Sequence, residues 1–214
     1  MIIIIQARSS SKRFNNKVLH KIYNKPIIWH VVSRVRKSKN VKKIIVATSN
    51  VKSDNKLVKY LKKVKINYYR GSLTNVAERL CKAAEKNKAN FFMRINADSP
   101  LIDPTIIDKA IKIFKTRKKN YDIITNTFPR SYPKGQSLEI IKTSKLRSNL
   151  DKFNKDQREH VTKYFYKNYK NFMIKNFMSV KNKAKIKLAI DTKNDLKLIL
   201  KRIKKKEFFN FLLK

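Results

Sequence analysis

A chain of 214 residues with 54 Lys plus Arg against 14 Asp plus Glu carries a formal net charge of +40, an excess that favours anionic partners. The basic residues run along the whole chain, as in "KKVKINYY", "KTRKKN", "VKNKAKIK" and "KRIKKK", so they read as a drift toward Lys, Asn and Ile rather than one nucleic-acid patch. The single cysteine, Cys81, rules out an intramolecular disulfide, and no apolar run approaches the roughly 18 residues of a membrane span.

The length predicts one domain spanning 1–214. "MIIII" has no basic residues before it and is too short for a signal-peptide core, so a soluble cytoplasmic protein is expected. The elements then follow in chain order. Met1–Ile5 is a strand, and Pro26–Arg36 has helical spacing with Pro26 in its first turn. A strand over 43–49 precedes a helix over Asp54–Lys63 and a short strand over 65–69. A helix over Thr74–Lys86 has Ser72, Thr74 or Asn75 as its cap; in it Ala77, Leu80, Cys81 and Ala84 share a face, which makes Cys81 a buried, inert thiol. A strand over 90–95 leads to a helix capped by Asp103, opened by Pro104 and running to about Lys115. Another strand covers 121–126. This β-α alternation predicts a mostly parallel sheet with helices on both faces. In the second half, "SLEIIK" and "FMIKNF" read as strands around a helix near 156–167. "AKIKLAI" at 184–190 is expected as a last strand, followed by a helix from Thr192.

Ligands of an open α/β sheet bind beyond the carboxyl ends of its strands. Three polar segments fall on that edge: the loop "ARSSSKRFNNK" after the first strand, "NADSP" after the strand ending at Ile95, and Asp191 after Ile190. The first loop holds Arg8, Lys12, Arg13 and Lys17 without an acidic residue. These side chains suit phosphate oxygens, and loop amides can add a nest, yet the loop is neither a Walker A sequence nor a G-x-G-x-x-G fingerprint. In so basic a chain its charges read equally well as solvated surface. Asp98 either closes a turn or binds Mg²⁺, a hard cation that takes carboxylate and phosphate oxygens. Asp103 is better explained as a helix cap. Thr192 and Asp195 fit a capping box, which leaves Asp191 to pair with Asp98 at a metal.

The segments "IIIQAR…SxxR…KVL", "ATSN", "RGS…V…R", "RINADSPLIDP", "NT.PR..P.G...E", "REHVT" and "IDT..DL", in this order from Ile2 to about Leu200, resemble the nucleotidyltransferases of the spore-coat polysaccharide biosynthesis type, relatives of the acylneuraminate and deoxy-manno-octulosonate cytidylyltransferases. The resemblance implies a glycosyltransferase-A-like α/β fold with a Rossmann-like nucleotide-binding half. It implies transfer of a nucleotidyl group, with CTP as donor, to an acidic or phosphorylated sugar for surface polysaccharide synthesis, with Mg²⁺ as cofactor. By this resemblance Arg8, Arg13 and Lys17 are catalytic residues of the triphosphate loop, to which Ala7 and Ser10 also belong. Arg70 and Gly71 lie near the nucleotide, Asp98 and Asp191 bind the metal, and Glu139, Arg158, Glu159 and His160 lie on the sugar side; His160 reads equally as a hydrogen-bonded pocket-wall residue. Relatives are often homodimers. Departures from the family pattern are Ser10 for Gly, Asn15-Asn16 for Pro-Gly, Ala97 for Gly and Ser137 for Asp, which leave an impaired paralogue as one alternative. A nucleic-acid-binding protein is another, with "YFYKNYKNF" at 164–172 as its best stretch, although no nucleic acid or membrane partner is expected. A sugar-transferring enzyme of the same fold would show D-x-D where this chain has Asn96-Ala97-Asp98.

Overall fold

The computed structural model describes residues 1–10, 13–116 and 119–202; Lys12 lies outside them. Strand β1 (Ile2–Gln6) sends Ile3 and Ile5 into one core cluster and Ile4 into another. Burial on both faces explains its unbroken isoleucine run. The two-residue strands β2 (Lys21–Ile22) and β3 (Lys25–Pro26) form a hairpin ahead of α1 (Ile27–Val35). There follow β4 (Lys43–Ser49), α2 (Asn55–Lys63), β5 (Tyr68–Gly71), α3 (Val76–Lys86), β6 (Phe91–Asn96), α4 (Pro104–Lys115), β7 (Ile123–Thr125) and β8 (Leu138–Lys142). The chain continues through α5 (Thr143–Arg147), α6 (Lys155–Glu159), α7 (Lys163–Lys167), β9 (Ile174–Asn176) and α8 (Lys193–Arg202).

Seven strands form the main sheet in the order β5-β4-β1-β6-β8-β7-β9, and among them only β8 runs against the rest. Val31 and Val35 of α1, Leu57 and Leu61 of α2 and Ile107 and Ile111 of α4 cover one face. Leu80 and Ala84 of α3, Leu146 of α5 and Phe165 of α7 cover the other. A third, smaller cluster joins Phe14, Ile22, Ile27 and Leu101 to Ile190 and to Ile199 of α8. Helix starts follow their capping residues. Asn75 accepts from the amide of Glu78 at 3.1 Å, and Asp103 accepts from that of Thr105 at 2.9 Å with Pro104 next in the chain. Cys81 is buried, and burial followed by the nearby Glu85 carboxylate pushes its thiol up to about 12, consistent with an inert packing role.

Three expected elements differ. The strand over 65–69 is delayed to Tyr68–Gly71, because Lys65 turns through φ 52 after α2. The helix near 156–167 is two short helices, broken where His160 leaves the helical region at φ −100, ψ 72. The segment 184–190 is not a strand. It has the period-two apolar pattern, but its backbone is bridged to a loop: Leu188 N donates to Lys134 O at 2.7 Å and Lys134 N donates to Ile186 O at 2.9 Å, with one isolated bridge between Lys134 and Lys187.

Candidate active site

From β1 the chain crosses to β4 and β5 on one side, while β6, on the other flank of β1, leads on to β8 and β7. The carboxyl ends of β1 and β6 therefore flank a topological switch point, where such sheets bind ligands. A cleft of about 780 Å³ opens there. Ala7, Arg8, Ser10, Arg13 and Lys17 line it from the first loop, Asp98 from the end of β6, Glu159 and His160 from the end of α6, and Asp191 from the segment before α8.

The loop is tied down from below. Ser9 N donates to the buried carboxylate of Asp54 at 2.6 Å, and Asp54 also accepts from Ser49 N at 3.0 Å and from the Ser49 hydroxyl. Burial pushes the Asp54 carboxyl up, but the hydrogen bonds from Ser49 and Ser9 outweigh it and hold the group below the usual carboxylate range. Asn16 takes φ 51 at the far end of the loop, in the left-handed region that asparagine enters more readily than most residues. Asn16 N donates back to Ser9 O at 2.9 Å.

Lys17 is the centre of the site. Its ammonium lies 3.1 Å from Asp98 Oδ2 and 3.4 Å from Asp191 Oδ1, although the carboxylates are 93 positions apart in sequence by their numbers. Ile190 N donates to Asp98 O at 2.9 Å and sets the two acidic residues side by side. Gly135 makes this possible from behind: at φ +98 it sits so close to Ala189 N and Leu188 C that a Cβ would be 2.7 Å from each. Arg13 lies 3.8 Å and Lys187 3.3 Å from Asp191. Asp195 closes the helix start, accepting from the amides of Asp191 and Thr192 at 2.9 Å while its own amide donates to the Thr192 hydroxyl at 3.1 Å. Burial raises its carboxyl, yet Lys187 at 2.8 Å and those amides hold it at about 2.

Across the cleft Arg8 pairs with Glu159 at 2.5 Å, and His160 lies 3.8 Å from Asp156. The remaining expected site residues do not face the cleft. Arg70 spends its guanidinium on the carbonyls of Ser49 and Val51, at 3.0 and 3.1 Å, and Gly71 packs on the Arg79 side chain. Arg158 donates to Phe153 O at 3.0 Å. Glu139 is buried beneath the floor, paired with Arg94 at 2.6 Å and accepting from Thr162 Oγ1 at 2.8 Å. Arg94 holds Gln6 Oε1 at 2.9 Å and Asn96 Oδ1 at 3.2 Å. Gln6, Arg94 and Asn96 line the cleft, as do Leu73, Thr74 and Lys155; the sequence reading did not single these out. Gln6 and Asn96 could have been found from strand-end position alone, since they are register partners closing β1 and β6.

Asp98 and Asp191 are the residues that could hold a divalent metal. Two carboxylate oxygens converge on one cationic atom, Lys17 Nζ. Among the described residues no group of three or more His, Cys, Asp or Glu converges. Two carboxylates, with the remaining positions open to water and ligand phosphates, are a donor set that would suit Mg²⁺.

A family model for cytidylyltransferases matches residues 2–212. The chain belongs to the cytidylyltransferase family. It is a sugar nucleotidyltransferase of that type, and its sheet carries the family's architecture. It is 28% identical over 208 residues to the spore coat polysaccharide biosynthesis protein SpsF of Bacillus subtilis, covering 93% of this chain and 84% of that one. A 3-deoxy-manno-octulosonate cytidylyltransferase of Geotalea daltonii is 34% identical over 110 residues, which is 50% of this chain and 42% of the relative. Among solved structures, a cytidylyltransferase from Leptospira borgpetersenii superposes with a TM-score of 0.89 at 27% identity, over 99% of this chain and 92% of the other. Among the described residues no helix is long and apolar enough to cross a membrane.

Proposed function

We propose that the protein transfers a cytidylyl group from CTP to an acidic or phosphorylated sugar destined for a surface polysaccharide. The observation that carries this reading is the convergence of Arg13 and Lys17 with Asp98 and Asp191 at the switch point of the sheet. The cytidylyltransferase family supplies the nucleotide, and the names of the two relatives supply the class of acceptor. One domain over residues 1–214 carries the whole reaction in this reading.

Arg8, Arg13, Lys17 and the backbone of Ala7–Ser10 receive the triphosphate. An anomeric hydroxyl or phosphate oxygen of the sugar forms a bond to the α-phosphorus. The bond from that phosphorus to the bridging oxygen of the β-phosphate breaks, and pyrophosphate leaves with the electron pair. A hydroxyl nucleophile loses its proton to solvent in the open cleft. Arg13 and Lys17 stabilise the charge that builds on the leaving pyrophosphate, an effect worth on the order of 10²–10³ in rate per donor. Asp98 and Asp191 would hold Mg²⁺, which when bound supplies charge neutralisation at the phosphates. Glu159 and His160, with Lys155 beside them, form the wall that meets the sugar, and Arg94, fixed by Glu139, orients the amides of Gln6 and Asn96 at the floor.

The best stretch for the nucleic-acid alternative is largely spent on packing. Phe165 is fully buried against Phe153 and Phe172, and Tyr166 stacks on Phe128 while its hydroxyl donates to Thr125 Oγ1 at 2.9 Å. Those contacts spend Phe165 and Tyr166 on packing, and of the five rings in the stretch Tyr169 alone is exposed, at 52%, which is not a platform for successive bases. The test is pyrophosphate release measured with each nucleoside triphosphate against a panel of acidic and phosphorylated sugars. Release confined to CTP plus one acidic or phosphorylated sugar supports the reading; no release with any pair refutes it.

A further inference from the structure

The charges around Asp98 and Asp191 balance without any added ion. Arg13, Lys17 and Lys187 contribute three positive charges, and Asp98, Asp191 and Asp195 contribute three negative ones, every member lying within 3.8 Å of a partner of opposite sign. The ammonium at the middle is not a passing surface lysine. The Lys17 side chain is only 12% exposed and touches one oxygen from each carboxylate. Those two oxygens are half of the four that the carboxylates can offer a divalent cation, and the pair that faces a common point.

We propose that Lys17 is a tethered counter-ion for the two-carboxylate site, so that a divalent metal enters only together with the nucleotide. The inference rests on the reading of Asp98 and Asp191 as metal ligands. A metal ion that arrives alone and bridges the two carboxylates at this point displaces the ammonium, and the lysine then stands as an unpaired positive charge beside a doubly charged ion. Like charges a few ångströms apart in a partly desolvated cleft repel strongly. A nucleoside triphosphate changes the balance: it brings several negative charges, the ammonium transfers from carboxylate to phosphate, and the carboxylates are released to the metal. Two ligands that each require the same lysine to move bind with positive coupling, and the coupling is reciprocal. Lys17 thereby sets the order of assembly as well as stabilising the leaving group. Arg13 cannot substitute for it, since its guanidinium reaches only Asp191, at 3.8 Å, from a side chain that is 71% exposed.

The test is direct binding of Mn²⁺ in the absence of nucleotide and sugar, followed by the loss of the free-ion electron paramagnetic resonance signal. The wild-type protein is expected to bind Mn²⁺ weakly. Lys17→Met and Lys17→Gln should each bind it about tenfold more tightly or better, because a like charge near the ion has been removed, whereas Lys17→Arg should remain weak. Adding Asp98→Asn to either neutral variant should abolish the gain. Circular dichroism of every variant confirms the fold, and the use of two neutral replacements keeps the comparison available if one is unstable. If the neutral variants bind no more tightly than wild type while Asp98→Asn still weakens Mn²⁺ binding in the presence of CTP, the counter-ion role is refuted and the metal site stands. If Asp98→Asn changes Mn²⁺ binding in no background, the metal-site reading itself is refuted.

Discussion

Replacing Gly135 with alanine should damage the site from behind, without touching any residue that faces the cleft. The added methyl would lie 2.7 Å from Ala189 N and from Leu188 C, and 2.9 Å from Leu188 O. All three are backbone atoms, so no rotamer change relieves the collision. The φ of +98 adds its own penalty, since an L-residue is held there only at about 1–3 kcal/mol of strain. Moving the 186–190 strap to make room adds a further ~1–3 kcal/mol, the usual range for overpacking. That strap carries Asp191, which reaches Asp98 through the bond from Ile190 N to Asp98 O. Gly135→Ala should therefore lower the unfolding free energy read from a urea titration by about 2–6 kcal/mol, the sum of the two penalties, with a lower midpoint, and cut nucleotidyl transfer more than its fraction folded explains. Gly71→Ala is the matched control. Its methyl would meet the Arg79 Cγ at 3.0 Å and the Tyr69 ring at 3.1 Å, side-chain rather than backbone atoms and farther off than at Gly135, and its φ is not positive. The control should lose less stability and keep its transfer rate. A Gly135→Ala protein with the wild-type midpoint and rate, or a Gly71→Ala protein that is the worse of the two, would show that the strap does not place Asp191.

Arg13→Ala and Lys17→Ala should each lose on the order of 10²–10³ in transfer rate with an unchanged circular dichroism spectrum, because both residues belong to a polar loop; wild-type rates in both would end the phosphate-loop assignment. Asp98→Asn and Asp191→Asn should lose activity or require far more Mg²⁺ at nearly constant melting temperature, whereas Asp103→Asn and Asp195→Asn should mainly lose the ~1 kcal/mol that a cap supplies; identical behaviour of all four across an Mg²⁺ titration would refute the two-aspartate division. Asp54, held below its ordinary range by hydrogen bonds that outweigh its burial, contributes stability that is fully present above the unfolded-state value of about 3.9 and is lost as pH falls through the lower folded value. Asp54→Asn should therefore be less stable than wild type at neutral pH, with the gap narrowing in urea titrations taken progressively below pH 4; a gap independent of pH would contradict the assignment.

The features that were legible in the sequence share a physical cause. Double burial gives β1, β4 and β6 their apolar runs, the last broken at Arg94, and helix-start chemistry marks Asp103-Pro104 and Thr192-Asp195 without help from tertiary contacts. Asp98, Asp191 and the first loop were found because strand polarity sends all three to one edge. What stayed hidden depends on partners remote in sequence. The alternation at 184–190 has the period of a strand, but nothing in those seven residues reveals that their backbone partners are loop residues, Lys134 and Asp98, rather than a sheet edge. Arg70 carries the same guanidinium as Arg13, and only the arrangement of the Ser49 and Val51 carbonyls decides that it is spent internally. Glu139 looks like a pocket carboxylate until the antiparallel register with β6 places it opposite Arg94. The helix near 156–167 breaks at His160, next to the fully buried Val161, and hydrophobic periodicity alone carries no sign of that change in direction.

The small cluster that seats Phe14 against Ile190 and Ile199 has a consequence for synthesis of the chain. The main sheet is complete once Asn176 is made, and every strand from β1 to β9 can then find its neighbour. The first loop cannot, because part of the apolar seat of Phe14 is contributed by a helix that begins at Lys193. A nascent chain emerging from the ribosome can therefore hold a finished sheet while its first loop still lacks a support. Competence to hold a triphosphate should appear late, as α8 clears the exit tunnel, which separates the moment the fold is reached from the moment the protein can act.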